Sequence, residues 1–491
     1  MDSIPEPETQ PRDCDACVSN WCGVKFPAEF QGKYFRCDPN YEEIDGALCI
    51  LHYRDAARDA ARCAAAIERK KQAGDFNFRG VLFCGAVEFK GLIENADFSN
   101  AIFSGETDFR GATFSGVTHF NSAAFSDVVY FNNATFYGLA HFSGATFNSV
   151  AHFNSAAFNP VALFNSTTFN GAADFTHVKF SGVAQFDRTR FLGAARFFIA
   201  MFSGKADFTI ARFNGDANFF GVRFCSAADF SNATFSNTAD FGGATFSSTA
   251  DFSAVAFKDR ILFTDLAKER NEHGERTRDE VELVLIWATF GQPEKVLFRN
   301  VNLSETRFLH VDLRRLCFAN VIWPPVLLDE RKAKEKDYPH LEAIYRQLRQ
   351  NYEEGRNYPD AGHFYYGEMQ MRRKSLPWLR RYLLSLTTLY WLSNGYSQRP
   401  ARAFAWIGVL FLFFTGLYKL GGLQLQPSYS GPVTHATGAA LLHCAEVLTF
   451  ARERTYAPAS PAWGWVSVAQ TMVMPLQLAL FALAVRRKFQ R

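Results

Sequence analysis

The chain has 491 residues and a formal net charge of +3, so its length allows several domains and its charge indicates no nucleic-acid partner. It carries no phosphate-binding loop, nucleophile elbow or supported carboxylate pair, and we therefore expect that it is not an enzyme. Phenylalanine contributes 52 residues, most of them in one long stretch. The acidic, proline-rich first residues do not have the pattern of a secretory signal.

The first predicted domain, residues 1–75, is rich in potential metal ligands. Two short pairs, each separated by two residues, are Cys14 with Cys17 and Cys49 with His52. Zinc favours four thiolate or imidazole ligands, and such pairs supply adjacent corners of a tetrahedron. We predict a structural zinc site on these four residues. Two further cysteines are alternative ligands, and buried free thiols are the competing interpretation: Cys22 and Cys37.

A phenylalanine ladder occupies the next part of the chain. From Phe98 to Phe263 the steps between core phenylalanines alternate between five and six residues, so the repeat is eleven residues long. A small residue stands two positions before each, as Ala96 does before Phe98. Neither an amphipathic helix nor a flat strand has this spacing. A solenoid explains it, because stacked coils join one large and one small side chain per unit into a continuous core.

The motif at 96–104, Ala-Asp-Phe-Ser-Asn-Ala-Ile-Phe-Ser, and its copies resemble the pentapeptide-repeat proteins. The resemblance covers residues 76–263 and, more weakly, 296–323. It implies a mainly β fold, a right-handed four-sided β-helix with phenylalanine or leucine pointing inward and 22 residues per coil. Some family members mimic DNA with an acidic rod. Residues 76–263 hold 14 acidic and 12 basic side chains, so DNA mimicry is not expected.

Stacking at 22 residues places some side chains in surface columns. Phe198 and Phe220 each follow a core phenylalanine, so both should point outward on adjacent coils. Exposed stacked aromatics beside cationic side chains are typical of a partner site, and cross-strand stabilisation of the surface is the competing interpretation. The cationic side chains assigned to this partner site are Arg190, Arg196 and Arg212.

Two other columns consist of ionisable residues. Asp207, Asp229 and Asp251 share one column, where like charges are unfavourable unless a cation or a cap intervenes. His119 and His141 share another. A solvated polar face is the expected explanation of both columns.

The pattern changes after the ladder. The predicted domains are a main solenoid, a helical insertion, a second short repeat stretch, a helical hairpin with an interfacial helix, and a transmembrane region: 76–264, 265–294, 295–328, 329–398 and 399–491. The insertion is read as a helix because of the apolar run at 280–287. The interfacial helix is expected between Leu376 and Leu392, which is apolar and rich in Trp and Tyr between arginines.

Two segments, Ala403–Leu423 and Trp463–Val485, are long enough to span a bilayer. Segments 372–402 and 486–491 carry seven and four Lys or Arg residues, whereas the loop at 424–462 carries two. The positive-inside rule then places both ends of the chain in the cytoplasm. We expect a multi-pass protein of the cytoplasmic (inner) membrane.

The loop between the two spans holds a further apolar stretch, Ala436–Ala451. A helix, a short apolar segment and a second helix resemble the two-helix potassium-channel pore module. Its filter position here, Thr449–Tyr456, has no glycine, so potassium-selective conduction is not expected. Gln470 and Gln477 share a helix face, and either line a pore or form interhelical hydrogen bonds.

Two functions are consistent with these elements. The leading hypothesis is a membrane-anchored scaffold whose rod presents an interaction surface to a cytosolic protein partner. The alternative is an oligomeric channel-like or signalling membrane protein gated by its cytoplasmic repeats, and a homo-oligomer would be required for it.

Overall fold

The computed structural model describes residues 60–266, 282–381, 385–426, 435–449, 451 and 454–489. The chain forms two compact units, Met1–Arg331 and Lys332–Arg491. The first unit is a rod of short strands with a helix before it, and the second is helical. Each unit has its own core.

The rod is a β-solenoid whose coils contribute strands to four parallel sheets, here named faces 1 to 4. Face 1 holds Leu82–Phe83, Ile102–Phe103, Ala124–Phe125, Thr146–Phe147, Thr168–Phe169, Arg190–Phe191, Arg212–Phe213, Thr234–Phe235, Ala256–Phe257 and Thr289–Phe290. Face 2 holds Val87–Glu88, Thr107–Asp108, Val129–Tyr130, Ala151–His152, Ala173–Asp174, Ala195–Arg196, Ala217–Asn218, Ala239–Asp240, Ile261–Thr264, Val296–Arg299 and Cys317–Ala319. Face 3 holds Leu92–Glu94, Thr113–Ser115, Thr135–Phe136, Ala157–Phe158, Lys179–Phe180, Met201–Phe202, Arg223–Phe224 and Thr245–Phe246. Face 4 holds Thr118–His119, Ala140–His141, Ala162–Leu163, Ala184–Gln185, Ala206–Asp207, Ala228–Asp229, Ala250–Asp251, Leu283–Val284 and Thr306–Arg307.

The core of the rod is a set of stacked phenylalanine rings. Phe142 stacks on Phe164, the residue 22 positions later, with ring centroids 4.8 Å apart and planes inclined by 2°. Across the coil, Phe142 and Phe153, which follow strands of faces 4 and 2, meet edge-to-face at 5.7 Å and 88°. Both arrangements suit the quadrupole of an aromatic ring. The 11-residue repeat and the mainly β solenoid predicted from the sequence are therefore confirmed.

The corners after faces 2 and 4 explain why Asp recurs before the core phenylalanine. The Asp174 carboxylate accepts a hydrogen bond from the backbone N–H of Thr176, two residues later. The same contact recurs at Asp240 with Gly242 and is formed by an amide at Asn218 with Phe220. Such side-chain acceptors fix a turn that the backbone alone would leave open.

Both ends of the rod are covered. Helix α1, Ala60–Gln72, buries Ile67 and places the Lys70 and Lys71 ammonium groups 5.5 Å and 5.2 Å from the rings of Phe78 and Phe89. At the other end, helix α2, Leu328–Arg331, buries Asp329, whose carboxylate accepts hydrogen bonds from Arg307 and from the backbone of Phe308. Burial raises the pKa of Asp329 despite these donors. Covered ends keep the last core rings out of water.

The expected helix within 265–294 is wrong for the residues that are described there. Leu283–Val284 is a strand of face 4 that pairs with Ala250–Asp251 on one side and Thr306–Arg307 on the other. Ala250 and Leu283 are 33 residues apart, so one coil is enlarged and the chain then returns to the solenoid. The apolar run at 280–287 is compatible with a helix or a strand. The strand forms because the edge of face 4 at Ala250–Asp251 offers backbone hydrogen-bond partners. Residues 267–281 lie outside the described part.

The second unit contains these helices: α3 Tyr338–Glu354, α4 Tyr358–Lys374, α5 Leu386–Asn394, α6 Pro400–Gly421, α7 Ala436–Leu448 and α8 Pro461–Phe489. Leu423–Leu425 and Tyr456–Pro458 form an antiparallel pair of strands. Short 3₁₀ turns lie at Pro293–Lys295 in the rod and Glu335–Asp337 before α3. Helices α6 and α8 are long and apolar enough to cross a membrane.

Helices α3 and α4 form the hairpin expected from the sequence. The Glu368 carboxylate accepts hydrogen bonds from Arg346 Nε at 3.0 Å and from Arg349 Nε at 2.8 Å. A Cβ atom added at Gly367 would lie 2.3 Å from the Tyr345 ring, so the close approach of these two helices requires glycine there. The hairpin is therefore held by both an ion-pair network and close packing.

We expect Phe164→Ala to lower the free energy of unfolding by about 3–5 kcal/mol, because it removes a fully buried ring from a stack that cannot collapse. Tyr137→Ala is the control, since Tyr137 is 62% exposed on the same rod. Hydrogen-exchange protection of the neighbouring coils measures the loss locally. Equal loss in both variants would contradict the ladder as the main source of stability.

Candidate functional site

Phe198 and Phe220 form an outward aromatic pair at the corner between faces 2 and 3. Each directly follows a buried core phenylalanine, and the two outer rings stack with centroids 5.8 Å apart and planes inclined by 14°. Phe220 is 44% exposed. The backbone N–H of Phe220 donates to the Asn218 side chain at 2.9 Å, which fixes the turn that directs the ring outward.

The neighbouring coil leaves room for this pair. A Cβ atom added at Gly242 would lie 2.9 Å from Cδ2 of Phe220. The ring therefore packs directly over this glycine, and a larger residue there would displace the ring. On the other side of the pair, the His177 ring meets Phe198 edge-on at 6.1 Å. The aromatic corner, defined as Phe198, Ile199 and Phe220, is therefore held in place by the coils before and after it.

Ile199 completes this corner and was missed in the sequence. Its φ angle is +54°, in the left-handed region that β-branched residues rarely adopt, and its side chain is 42% exposed. Equivalent corner positions hold small polar residues such as Asn133 and Ser155, which tolerate this conformation better. Aligning the corner positions of the repeats would have shown the isoleucine as an exception. Ile210 has the same conformation at the corner between faces 4 and 1.

The structure divides the three predicted arginines between two faces. Arg196 lies on face 2, two residues before Phe198, and is exposed. Arg190 and Arg212 are exposed partners on adjacent strands of face 1, one face further away. Arg196 therefore flanks the aromatic corner, whereas the other two arginines form a separate basic pair. The 22-residue spacing predicts which residues stack on one another, but it does not predict how close two different columns lie.

A lysine lies between the stacked aspartates of face 4. Lys205 Nζ lies 3.1 Å from Asp207 and 3.7 Å from Asp229. Burial raises the pKa of Asp207, but hydrogen bonds from Thr209 and Lys205 outweigh it, and the pKa lies below its ordinary value. The column is thus a compensated surface network, and Asp251 instead accepts from the backbone of Ser253.

The histidine column has no metal-site geometry. His119 and His141 have ring centroids 5.8 Å apart, and burial together with the neighbouring His119 lowers the pKa of His141. No group of three or more His, Cys, Asp or Glu residues that could hold a metal occurs among the described residues. The six predicted zinc ligands all precede residue 60 and lie outside the described part, so the zinc site stays a prediction.

Gln470 is fully buried and joins three helices of the second unit. Its side-chain oxygen accepts from the Tyr418 hydroxyl of α6 at 2.6 Å, and its nitrogen donates to the backbone oxygen of Cys444 in α7 at 2.9 Å. Beside it, the buried His443 ring of α7 lies 3.2 Å from Ser467 Oγ. Between apolar helices such bonds replace those that water would supply.

Gln477, seven residues after Gln470 on α8, makes a second interhelical contact. Its nitrogen donates to the backbone oxygens of Ala403 at 2.9 Å and Ser393 at 3.2 Å. Both glutamines are therefore engaged between helices, which is one of the two roles that the sequence left open. Sequence reasoning missed Tyr418, which bonds Gln470, and His443, which bonds Ser467 beside it, although polar residues within apolar segments were the available signal.

The comparisons with known proteins identify the repeats. The family described as pentapeptide repeats (9 copies) matches residues 109–157 and 200–244, which include Phe220. No curated protein and no solved structure matches the chain.

We expect Lys205→Met to destabilise the protein by up to about 1 kcal/mol at neutral pH, because Asp207 and Asp229 then lack their shared cation. A lowered carboxyl pKa contributes stability above the ordinary Asp value of about 4, and this contribution is lost as the pH falls through the folded value. The difference from the unmodified protein should therefore disappear in acid.

Thermal unfolding measured from pH 7 down to pH 3 checks this expectation. Lys258→Met is the matched control, since Lys258 is an exposed lysine of the same rod. A difference that persists unchanged below pH 4 would show that Lys205 acts through packing instead of charge.

Proposed function

We propose that the protein is a membrane-anchored pentapeptide-repeat scaffold whose rod binds a cytosolic protein. The observation that carries this proposal is the aromatic corner. Two stacked outward rings and an exposed isoleucine stand where the neighbouring coils carry polar residues or glycine. Exposed apolar clusters of this kind are typical of protein interfaces.

The corner suits binding because it is rigid before a partner arrives. Hydrogen bonds between coils hold both of its turns, with Ile199 N donating to Phe220 O at 2.9 Å. A preorganised surface loses little conformational entropy on association. Ile199 adopts the left-handed conformation that this corner requires, and its exposed side chain adds apolar surface beside the two rings. We infer a partner that inserts an apolar side chain over the rings and places a carboxylate near Arg196.

The membrane part of the proposal rests on the outer surfaces of the second unit. Helices α6 and α8 keep most of their apolar side chains exposed, as expected for contact with lipid. Helix α5 adds an exposed leucine stripe at helical spacing, consisting of Leu386, Leu389 and Leu392. Arginines around this region favour its location at the cytoplasmic surface.

A second candidate, an oligomeric channel-like or signalling protein, is supported by α7. This short apolar helix buries Ala440 and Cys444 against α6 and α8, as a helix that re-enters a membrane would. A pore made from two-helix subunits requires several subunits around an axis, whereas an anchor does not. The mass of the detergent-solubilised complex separates the two candidates, and ion flux in liposomes then tests conduction.

We expect the double variant Phe198→Ser, Phe220→Ser to lose its protein partners in pull-downs from solubilised membranes. Ile199→Asn should also weaken binding, by roughly tenfold, while stabilising the rod, because asparagine adopts the left-handed conformation at lower cost. Loss of binding in this variant cannot be ascribed to unfolding.

Ile210→Asn is the matched control. It relieves the same backbone conformation at a different corner and should leave binding unchanged. Retention of every partner by both the Phe198→Ser, Phe220→Ser double variant and Ile199→Asn would refute the site. Equal losses of binding in Ile199→Asn and Ile210→Asn would refute its position on the rod.

A further inference from the structure

A cavity of about 360 Å³ opens in the helical unit, where α3, α4 and the end of α8 meet. Ala361 and Gly362 line it together with six polar or charged side chains, Arg349, Glu353, Tyr358, Tyr365, Gln398 and Arg487. The volume falls in the range of small-ligand sites, about 300–1,000 Å³. No predicted site residue from the sequence lies in it.

The cavity is rich in hydrogen-bond donors. Arg349 is already paired, because its guanidinium bonds Glu353 at 2.9 Å and Glu368 at 2.8 Å. Arg487 lies over the Tyr365 ring at 5.3 Å, and none of the described carboxylates lies within ion-pair distance of it. Among the described residues, the cavity therefore keeps one guanidinium outside any ion pair, beside the Arg349–Glu353 pair and neutral hydroxyl and amide groups. Oxygen-rich anions such as phosphate match this set of donors.

The cavity lies at one end of the helix pair. Helices α6 and α8 are antiparallel, since Gln477 bonds Ala403 near the start of α6, whereas Gln470, earlier in α8, bonds Tyr418 near the end of α6. The start of α6 and the end of α8 are thus at the same level, together with Gln398 and Arg487. Phe404 is 64% exposed at this end, so an apolar surface lies near the cavity.

We propose that this cavity binds a phosphate group, with Arg487 as its charge partner and Tyr358 and Gln398 as neutral donors. If α6 and α8 span the membrane as proposed above, the cavity lies at headgroup level, and the phosphate belongs to an anionic phospholipid whose chains follow the helix surface. A soluble phosphate compound offers the same chemistry, and the experiment separates these two sources.

The test is binding to the full chain in detergent micelles, followed by native mass spectrometry. The probes are phosphatidylglycerol, phosphatidylcholine and inorganic phosphate. We expect Arg487→Gln to weaken phosphatidylglycerol binding by about tenfold, since it removes a charge-assisted hydrogen bond. Arg486→Gln removes the same charge at an exposed residue that does not line the cavity, and it should change binding by less than about twofold.

Each outcome decides a different point. Binding of inorganic phosphate that depends on Arg487, without such dependence for either lipid, would support the phosphate site and exclude the lipid source. Equal effects of the two arginine variants, or no effect of either, would overturn the site. Tyr358→Phe, which removes only a hydroxyl, should weaken binding less than Arg487→Gln does. The assay needs neither a membrane nor a rod partner, so its failure is distinct from failure of the scaffold proposal.

Discussion

The stacking of each core phenylalanine on the ring 22 residues ahead is the constraint from which the rest of the rod follows. One stacked pair such as Phe147 and Phe169 fixes the register of two coils, because their strands also pair at the same positions. Backbone bonds between coils then satisfy the polar groups of very short strands. Side chains outside the ladder are consequently free to vary without loss of the fold, and the surface columns can carry function.

The surface shows two ways of using that freedom. On face 4, Lys205 between two aspartates compensates charges that the register forces together. At the corner after face 2, the register instead brings Phe198 and Phe220 together and leaves Phe220 exposed and Phe198 half-buried. The lysine offsets the charge repulsion that stacking imposes on the aspartates, whereas the stacked phenylalanines add exposed apolar surface. This contrast is why we assign partner binding to the aromatic corner and a structural role to the charged column.

The sequence was most informative where one residue type repeats at a fixed interval. The ladder predicted the coil and the outward direction of Phe220, since core and surface alternate along every strand. It did not predict the strand at Leu283–Val284, because an apolar run without the eleven-residue spacing suits a helix equally well. The cavity around Arg487 was also out of reach, since its lining comes from segments more than a hundred residues apart whose packing has no sequence period.

We propose above that α6 and α8 hold the protein in a membrane. Alkaline carbonate extraction of vesicles that contain the full chain, followed by flotation on a density gradient, tests this most directly. We predict that the chain stays with the lipid after extraction, because two apolar helices with exposed outer faces cannot leave a bilayer without exposing them to water. Recovery of the folded chain in the lipid-free supernatant would contradict the account.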